Sequence, residues 1–164
     1  MEGEQLSPQD YQQLVNDIES MPQIIQDMLA GVSESELSAR PLDGSWSILE
    51  HICHLRDIEQ EGYSVRINQM LNQKNPVLAD LDGDKLAQER DYINQDFRSA
   101  LEIFIANRVD NARTIRDLSP PQLSRQAMFE NVGPITFLEL LIKMREHDQG
   151  HITELTQLLN THRE

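Results

Sequence analysis

The chain of 164 residues has a single cysteine, Cys53, and no long apolar run. One cysteine excludes an intramolecular disulfide and a metal cluster held by several thiolates. A membrane-spanning helix needs about 18 or more consecutive apolar residues, and no such stretch is present. The acidic segment from Met1 to Gln5 lacks the basic and then apolar regions of a signal peptide. We therefore expect a cytoplasmic protein.

Basic residues are also scarce, since 14 lysines and arginines stand against 28 aspartates and glutamates, for a net charge of −14. A surface of this sign repels nucleic-acid phosphates and anionic lipid headgroups, which predicts no nucleic-acid partner and no membrane partner. With only seven glycines and seven prolines, the chain shows no low-complexity segment. Its length suits one domain, and we expect residues 1–164 to form it.

Apolar residues recur at helical spacing over much of the chain. No segment shows the convincing alternation of apolar and polar residues that is typical of a strand. The first predicted helix begins at the N-cap Ser7 with Pro8 in its first turn. Pro22 lies inside this helix and predicts a kink or a break there. Ser45 is the predicted cap of the second helix, which extends to about Leu71.

Two further long helices are predicted in the C-terminal half. The third runs from about Leu86 to Leu118, and the dipeptide at 133–134 (Gly-Pro) opens the last one. Residues 72–84 are the least ordered stretch, and the segment 122–131 gives no clear prediction. Four amphipathic helices in a chain of this size bury their apolar stripes against one another, so we predict an all-α four-helix bundle.

A histidine pair near the C-terminus, His147 and His151, is the strongest chemical signal. Four residues on a helix bring both imidazoles to one face, about one turn apart. A third histidine from the second helix, His51 or His54, would complete a three-histidine site with an open coordination position, as in catalytic zinc centres. The apolar stripe of that helix passes closer to His51, but periodicity alone does not decide between the two. The alternative is a pair of polar side chains at the bundle surface.

Other site types are disfavoured by the residues around these histidines. A zincin protease needs glutamate directly after the first histidine, where this chain has Asp148. A di-iron carboxylate site needs two Glu-x-x-His units on different helices, and only residues 148–151 come near that spacing. Cys53 is next to His54, but a lone thiol on an apolar helix is more typical of packing than of nucleophilic chemistry.

Two sequence blocks resemble a known family. The first runs from Trp46 to Glu59 and places a His-Leu pair eight residues after a Trp-Ser pair, followed by acidic positions. The second is the His-x-x-x-His of residues 147–151. Their order, over about residues 6–159, is similar to that of the DinB-like family, also called the DinB and YfiT-like metalloenzymes.

The resemblance implies a four-helix bundle of up-down-down-up order with a three-histidine metal site at one end. By position, the implied ligands are His54, His147 and His151, so that the resemblance favours His54 over His51. It implies zinc or nickel as the metal, with water in the open position. Relatives in this family include thiol S-transferases and isomerases that use low-molecular-weight thiols, and hydrolases. The implied partner is thus a small molecule, and a homodimer is possible.

Such a metal would lower the pKa of a bound thiol or water and generate a nucleophile at neutral pH. A nearby carboxylate would orient a ligand imidazole or accept a proton, and Asp57, Glu59 and Asp148 are the candidates. We therefore predict a metal-dependent enzyme acting on a small molecule, with thiol S-transfer as the leading reaction and hydrolysis as another. The alternatives are a non-catalytic metal-binding or stress-response bundle, and a metal-free bundle in which the histidines form a core network.

Overall fold

The computed structural model describes residues 6–162, which are mostly helical. The helices are α1 (Pro8–Leu29), α2 (Glu34–Ser38), α3 (Ile48–Asp57), α4 (Ser64–Asn72), α5 (Gly83–Glu89), α6 (Phe97–Arg116), α7 (Pro120–Leu123) and α8 (Phe137–His162). A π-helical segment, Ile58–Tyr63, joins α3 to α4, and a 3₁₀ turn, Tyr92–Asn94, precedes α6. The strands are β1 (Val77–Leu78), β2 (Gln126–Phe129) and β3 (Gly133–Thr136). No helix in this part of the chain is both long and apolar enough to cross a bilayer.

The predicted four-helix bundle is confirmed, and its four members are α1, the α3–α4 unit, α6 and α8. Helices α1 and α6 run antiparallel, because Tyr11 donates a hydrogen bond to the carbonyl of Ile115, while Arg108 reaches the carbonyl of Ile18 further along α1. Sequence order therefore rises along one helix as it falls along the other.

Contacts of the α3–α4 unit complete the topology. This unit runs parallel to α6, because Glu59 contacts Arg108 and Ser64 contacts the later residue Asn111. It runs antiparallel to α8, where the histidine pairs 54–147 and 51–151 meet. The bundle is therefore up-down-down-up, and the parallel pair is connected by the long crossover between α4 and α6.

Helix α1 begins as predicted but is not broken by its proline. Ser7 accepts a hydrogen bond from the backbone N–H of Asp10 at 3.1 Å. Pro22 lies within a helix that continues to Leu29, and no break forms. Buried residues on both sides of the proline, among them Ile18 and Ile25, pack in the core and offset the missing backbone hydrogen bond.

The predicted cap of the second helix was wrong by two residues. The backbone N–H of Glu50 donates to the Ser47 hydroxyl at 3.2 Å, and the Ser47 N–H donates to the Glu50 carboxylate at 2.8 Å. This reciprocal capping box starts α3 at Ile48, whereas Ser45 lies in the preceding loop. The Ser-x-x-Glu spacing of the box is visible in the sequence.

The long third helix predicted from Leu86 to Leu118 is in fact interrupted. Helix α5 ends at Glu89, and Asp91 takes a left-handed backbone conformation with φ of 50°. Helix α6 then starts afresh behind Asp96, whose carboxylate accepts a hydrogen bond from a backbone N–H of the first turn. The sequence does not reveal this interruption, because the apolar residues on both sides of it continue the helical period.

A small three-stranded sheet lies at one end of the bundle, which contradicts the prediction of no strands. Strand β2 pairs in parallel with β1, with Leu78 opposite Phe129, and antiparallel with β3. The predicted helix start at residues 133–134 was therefore wrong, because Gly133 begins β3 with φ of 112° and the last helix starts at Phe137. Strands of two to four residues are too short to show a clear alternation.

The apolar core consists of two clusters arranged along the bundle. One contains the sheet together with Leu14 and Met144, and the other contains Ile25 and Leu155. Between them lies a layer of buried polar side chains, which includes five of the predicted site residues: His54, Asp57, Glu59, Asp148 and His151. The candidate site is thus a polar layer that crosses an otherwise apolar bundle.

Candidate metal centre

Three histidines from two helices meet in this polar layer. His54 comes from the last turn of α3, and His147 and His151 come from successive turns of α8. The Nε2 atom of His147 lies 3.2 Å from Nε2 of His54 and 3.2 Å from Nε2 of His151. The ligand set predicted from the sequence is therefore brought together in space, with its donor atoms within 4.8 Å of one another.

The donor spacing fits a transition metal. Zinc–nitrogen bonds of about 2.0–2.1 Å with tetrahedral angles place two ligand nitrogens about 3.3 Å apart. Both measured separations, 3.2 Å, agree with that value. Three imidazoles without a carboxylate or thiolate form a neutral ligand set that leaves one tetrahedral position open, as in catalytic centres. The residues present therefore fit a divalent transition metal.

Burial keeps the three imidazoles in the form that binds metal. It lowers the pKa of His54, and repulsion from the neighbouring His147 lowers this pKa further, to about 3. Burial also lowers the pKa of His147 to about 4 and that of His151 to about 2. Neutral imidazole carries the lone pair that a metal ligand needs, so the metal-free site does not have to lose protons at neutral pH before it binds.

His51 is buried beside the trio rather than exposed. Its Nδ1 atom lies 3.0 Å from Nδ1 of His151, and its Nε2 atom lies 3.4 Å from a carboxylate oxygen of Glu154. Periodicity favoured His51 as the inward-facing histidine of the second helix, and the family resemblance favoured His54. In the structure both are buried. Of these two histidines of α3, His54 is the one in contact with the Nε2 atom of His147.

The ring of His54 is enclosed by an aromatic side chain and by backbone. The rings of Trp46 and His54 lie 4.9 Å apart between centroids. A Cβ atom on Gly83, the first residue of α5, would lie 2.8 Å from Cε1 and 3.0 Å from Nδ1 of His54. Glycine therefore permits the close approach of α5. Within residues 6–162, the buried Nδ1 atom of His54 has no hydrogen-bond partner, unlike most metal-bound histidines.

A buried arginine connects the helices that carry the three candidate ligands. Arg108 of α6 donates two hydrogen bonds to Glu59, both of 2.9 Å, and two to Asp148, of 2.7 and 2.9 Å. It also donates to the carbonyl of Ile18 on α1 at 3.0 Å. The π-helical segment places Glu59 in this network, and such segments are frequent at functional sites. Arg108 thereby joins all four members of the bundle next to His147.

The three carboxylates predicted as catalytic groups are all engaged in ion pairs. Asp57 pairs with Arg56 at 2.8 Å and with Arg90 at 3.0 Å. Burial raises the pKa of Asp57, but hydrogen bonds from Arg56 and Tyr92 outweigh it and leave the pKa lowered. Glu59 and Asp148 are held by the arginine described above. Their catalytic role stays a prediction, and their contacts favour a role in holding the helices together.

A pocket of about 1260 Å³ opens beside the histidines, and its lining includes His51, His54 and His151. Its wall is rich in carboxylates, which are Asp43, Glu50, Asp82, Asp84, Asp91 and Glu154. The basic side chain in the lining, Arg40, pairs with Glu50 at 2.6 Å. The pocket therefore has a negative potential that a bound divalent cation would partly neutralise.

Cys53 takes no part in this site. Its side chain is completely buried in the apolar cluster away from the sheet, and its Sγ atom lies 3.9 Å from the carbonyl oxygen of Tyr92. Burial raises the pKa of the thiol to about 11. A protonated, inaccessible thiol is inert, which agrees with the packing role predicted from the sequence.

Two site residues were not identified from the sequence. Arg108 continues the buried i, i+4 series that includes Phe104 and Ala112, and a charged residue within an apolar stripe is the signal that indicates a buried pair. Glu154 follows His151 by three residues and so lies on the same helix face. Neither signal identifies the partner residue.

Comparison with known proteins decides the family. The family model described as the DinB superfamily matches residues 17–155, which is most of the chain. The chain belongs to the DinB superfamily. The resemblance of the two histidine blocks is therefore confirmed at the level of the family.

Two relatives of this DinB-superfamily chain are informative. The protein named "Putative metal-dependent hydrolase BH0277", from Halalkalibacterium halodurans, is 23% identical over 156 residues, which cover 94% of this chain and 90% of the relative. The solved structure of YfiT from Bacillus subtilis, described as a "probable metal-dependent hydrolase with an unusual four-helix bundle topology", superposes with a TM-score of 0.88 at 20% identity. The match covers 98% of this chain and 92% of YfiT and shows that the two share a fold.

The metal-free DinB-superfamily protein is expected to lose stability as the pH falls below about 6.5, the value at which histidines of an unfolded chain protonate. Its folded state resists protonation, because the pKa is lowered to about 4 for His51 and to between about 2 and 4 for the three candidate ligands His54, His147 and His151. The unfolded state then binds more protons, and each such histidine costs about 1.4 kcal/mol per pH unit between about pH 6.5 and pH 4.

Urea denaturation with a chelator at pH 7.5, 6.0 and 5.0 measures this effect. The His54→Ala variant is the matched control, because its slope of stability against pH should be lower by about one histidine's contribution. Equal stability of the wild type at all three pH values would contradict the burial of neutral imidazoles.

Proposed function

We propose that this protein is a metal-dependent enzyme that hydrolyses a small molecule, with zinc or nickel held by His54, His147 and His151. The observation that carries the proposal is the convergence of three Nε2 atoms beside an open pocket. The names of the two relatives, both described as metal-dependent hydrolases, support it.

In this proposal the metal provides the nucleophile, and side chains of the protein bind the substrate and accept a proton. When bound, the metal supplies a nucleophile by lowering the pKa of a coordinated water. His54 and His151 line the pocket, so a substrate bound there is next to the ligand cluster. Trp46 provides an aromatic wall for apolar groups, and Glu154, also in the lining, provides a carboxylate that can accept a proton from the pocket.

The charge of the pocket indicates the class of substrate. The lining carries six carboxylates against one arginine, and that arginine is already paired with Glu50. Anionic substrates would be repelled by this wall, whereas neutral or cationic molecules would not. We therefore propose a neutral or cationic small molecule with a hydrolysable bond, such as an ester or amide.

Thiol S-transfer is the second candidate, and the size of the pocket favours it. Pockets for small ligands typically measure about 300–1,000 Å³, and this one measures about 1260 Å³. It therefore has room for a thiol together with an electrophile. The acidic wall favours an uncharged or cationic thiol over one with several carboxylates.

Turnover of a defined panel tests the proposal. The metal-loaded protein is assayed with esters and amides that differ only in charge, and with a low-molecular-weight thiol plus an aromatic electrophile. We expect turnover of neutral or cationic esters or amides, lowered at least about 100-fold in His54→Ala because the nucleophile is lost. His162→Ala, which changes a histidine on α8 outside the cluster, is the matched control and should keep the wild-type rate.

The arms of this experiment separate the candidates. Turnover that requires added thiol would favour S-transfer over hydrolysis. Stoichiometric metal with no turnover in any arm would reject the enzyme and favour a non-catalytic metal-binding bundle. A rate unchanged in His54→Ala would show that the activity does not come from this centre.

A further inference from the structure

A chain of three contacts leads from the pocket edge to the metal centre. A carboxylate oxygen of Glu154 lies 3.4 Å from Nε2 of His51, and Nδ1 of His51 lies 3.0 Å from Nδ1 of His151. The Nε2 atom of His151 in turn lies 3.2 Å from Nε2 of His147. We propose that Glu154 and His51 are positioning residues, which fix the tautomer of His151 so that its Nε2 presents a lone pair to the metal.

The proposal follows from which atoms can donate a hydrogen bond. The negative carboxylate of Glu154 cannot donate, and at 3.4 Å its charge favours a proton on the facing Nε2 of His51 over a lone pair. A neutral imidazole has one N–H, and Nδ1 of His51 is therefore an acceptor. The Nδ1 of His151 must then carry the proton and donate it to His51. This leaves Nε2 of His151 with its lone pair directed toward His147 and His54.

The reverse arrangement is unfavourable at the contact between His51 and Glu154. A proton on Nε2 of His151 would leave its Nδ1 as an acceptor, so that His51 would have to donate from Nδ1. The Nε2 of His51 would then direct a lone pair at the carboxylate of Glu154, and two acceptors facing each other repel. The arrangement that agrees with Glu154 is therefore the one in which His151 is ready to bind metal.

Burial makes this preference effective. His51 and His151 are 4% and 9% exposed, so water has little access to replace the hydrogen bond between their Nδ1 atoms. The ring of Trp46 packs edge-on against His51, with centroids 5.4 Å apart. Glu154 is exposed, with 58% of its side chain accessible, so we expect its substitution to leave the core intact. Metal-ligating histidines commonly have such a partner on their second nitrogen.

A second metal ion is the competing explanation, since donor atoms of His51, His151 and Glu154 also lie within 4.8 Å of one another. An ion there would need the Nδ1 lone pair of His151, while the first centre uses its Nε2 lone pair. A neutral imidazole has only one such lone pair. We therefore assign these residues to a relay that supports one metal, in which Glu154 acts on His51 by charge and His51 hydrogen-bonds to His151.

Metal affinity of Glu154 variants tests the relay. The inference depends on metal binding and not on the proposed hydrolysis, so affinity is measured by competition with a chelator and without substrate. Glu154→Lys replaces the acceptor by a donor and should weaken zinc binding by about 10- to 100-fold, while Glu154→Gln keeps an acceptor oxygen and should lose less than about 3-fold. Glu146→Lys, the same charge change at an exposed site on α8, is the matched control.

A spectroscopic readout distinguishes the relay from a purely electrostatic effect. Ring ¹⁵N shifts of the metal-free protein at pH 7 report which nitrogen of each histidine carries the proton. We expect His151 to be protonated at Nδ1 in the wild type and at Nε2 in Glu154→Lys.

Three results would overturn the inference. One is a wild-type His151 protonated at Nε2. Another is an equal loss of affinity in Glu154→Lys and Glu146→Lys. The third is a stoichiometry of two metal ions per chain by elemental analysis.

Discussion

Replacement of Arg108 by methionine is expected to lower the free energy of unfolding by about 3–5 kcal/mol, the cost of breaking a buried ion pair on one side. The arginine is 1% exposed and compensates two buried carboxylates, Glu59 and Asp148. Methionine fills much of the volume but donates no hydrogen bond, so both carboxylates would remain buried without a cation. Urea denaturation of the metal-free protein at pH 7.5 measures the change.

Two comparisons make this result specific. Arg113→Met, on the same helix, removes an exposed arginine whose contact is with Asp110 and should change stability by less than about 0.5 kcal/mol. Adding Glu59→Leu and Asp148→Leu to Arg108→Met should recover much of the loss, because replacing a whole buried ion network by apolar residues is often neutral or stabilising. If the free energy of unfolding of Arg108→Met were within about 1 kcal/mol of the wild-type value, the Arg108 network would not stabilise the packing of the helices as we infer.

Loss of metal from the His147→Ala/His151→Ala double variant is the second large effect. Wild-type protein purified without an affinity tag is expected to contain close to one transition-metal ion per chain, and the variant only background. Two of the three Nε2 donors are removed, and the remaining His54 cannot hold the ion alone. Elemental analysis of both proteins, before and after incubation with zinc or nickel, makes the measurement and identifies the metal.

Stability measured in parallel gives an independent readout. Metal that binds only the folded state stabilises it by about 4 kcal/mol at a thousandfold excess over Kd, so the wild type should melt at a higher temperature with metal than with chelator. The double variant should show no such difference, and His162→Ala should behave as the wild type. A wild type that contains no metal and binds none when it is added would reject the metal centre and favour a histidine network in the core.

The histidine pair shows how much of the site local rules predict. A spacing of four residues placed His147 and His151 on one face of α8, and the structure confirms this. The choice between His51 and His54 was not decided by periodicity, because both are buried on α3. The resemblance to the DinB-like family selected His54, since it identified a position relative to Trp46 rather than a face of a helix.

Helix ends and strands mark the limit of local prediction in the fold. The cap of α1 was predicted correctly, because a serine before a proline acts through neighbouring backbone atoms. The short strands β1, β2 and β3 were missed, because β1 pairs with a strand about fifty residues away and has little pattern of its own. The interruption at Asp91 was missed for the opposite reason, since the apolar period continued across it.

The sequence alone determined the features that depend on neighbours along the chain: the amphipathic helices, the bundle they imply and the paired histidines of α8. The tertiary structure decided the features that depend on distant partners, which are the Arg108 network and the contact of His51 with His151 and Glu154. The physical reason is range. Backbone hydrogen bonds and helical period act over about four residues, whereas a buried charge or a tautomer is set by whichever side chain the fold brings within about 3 Å.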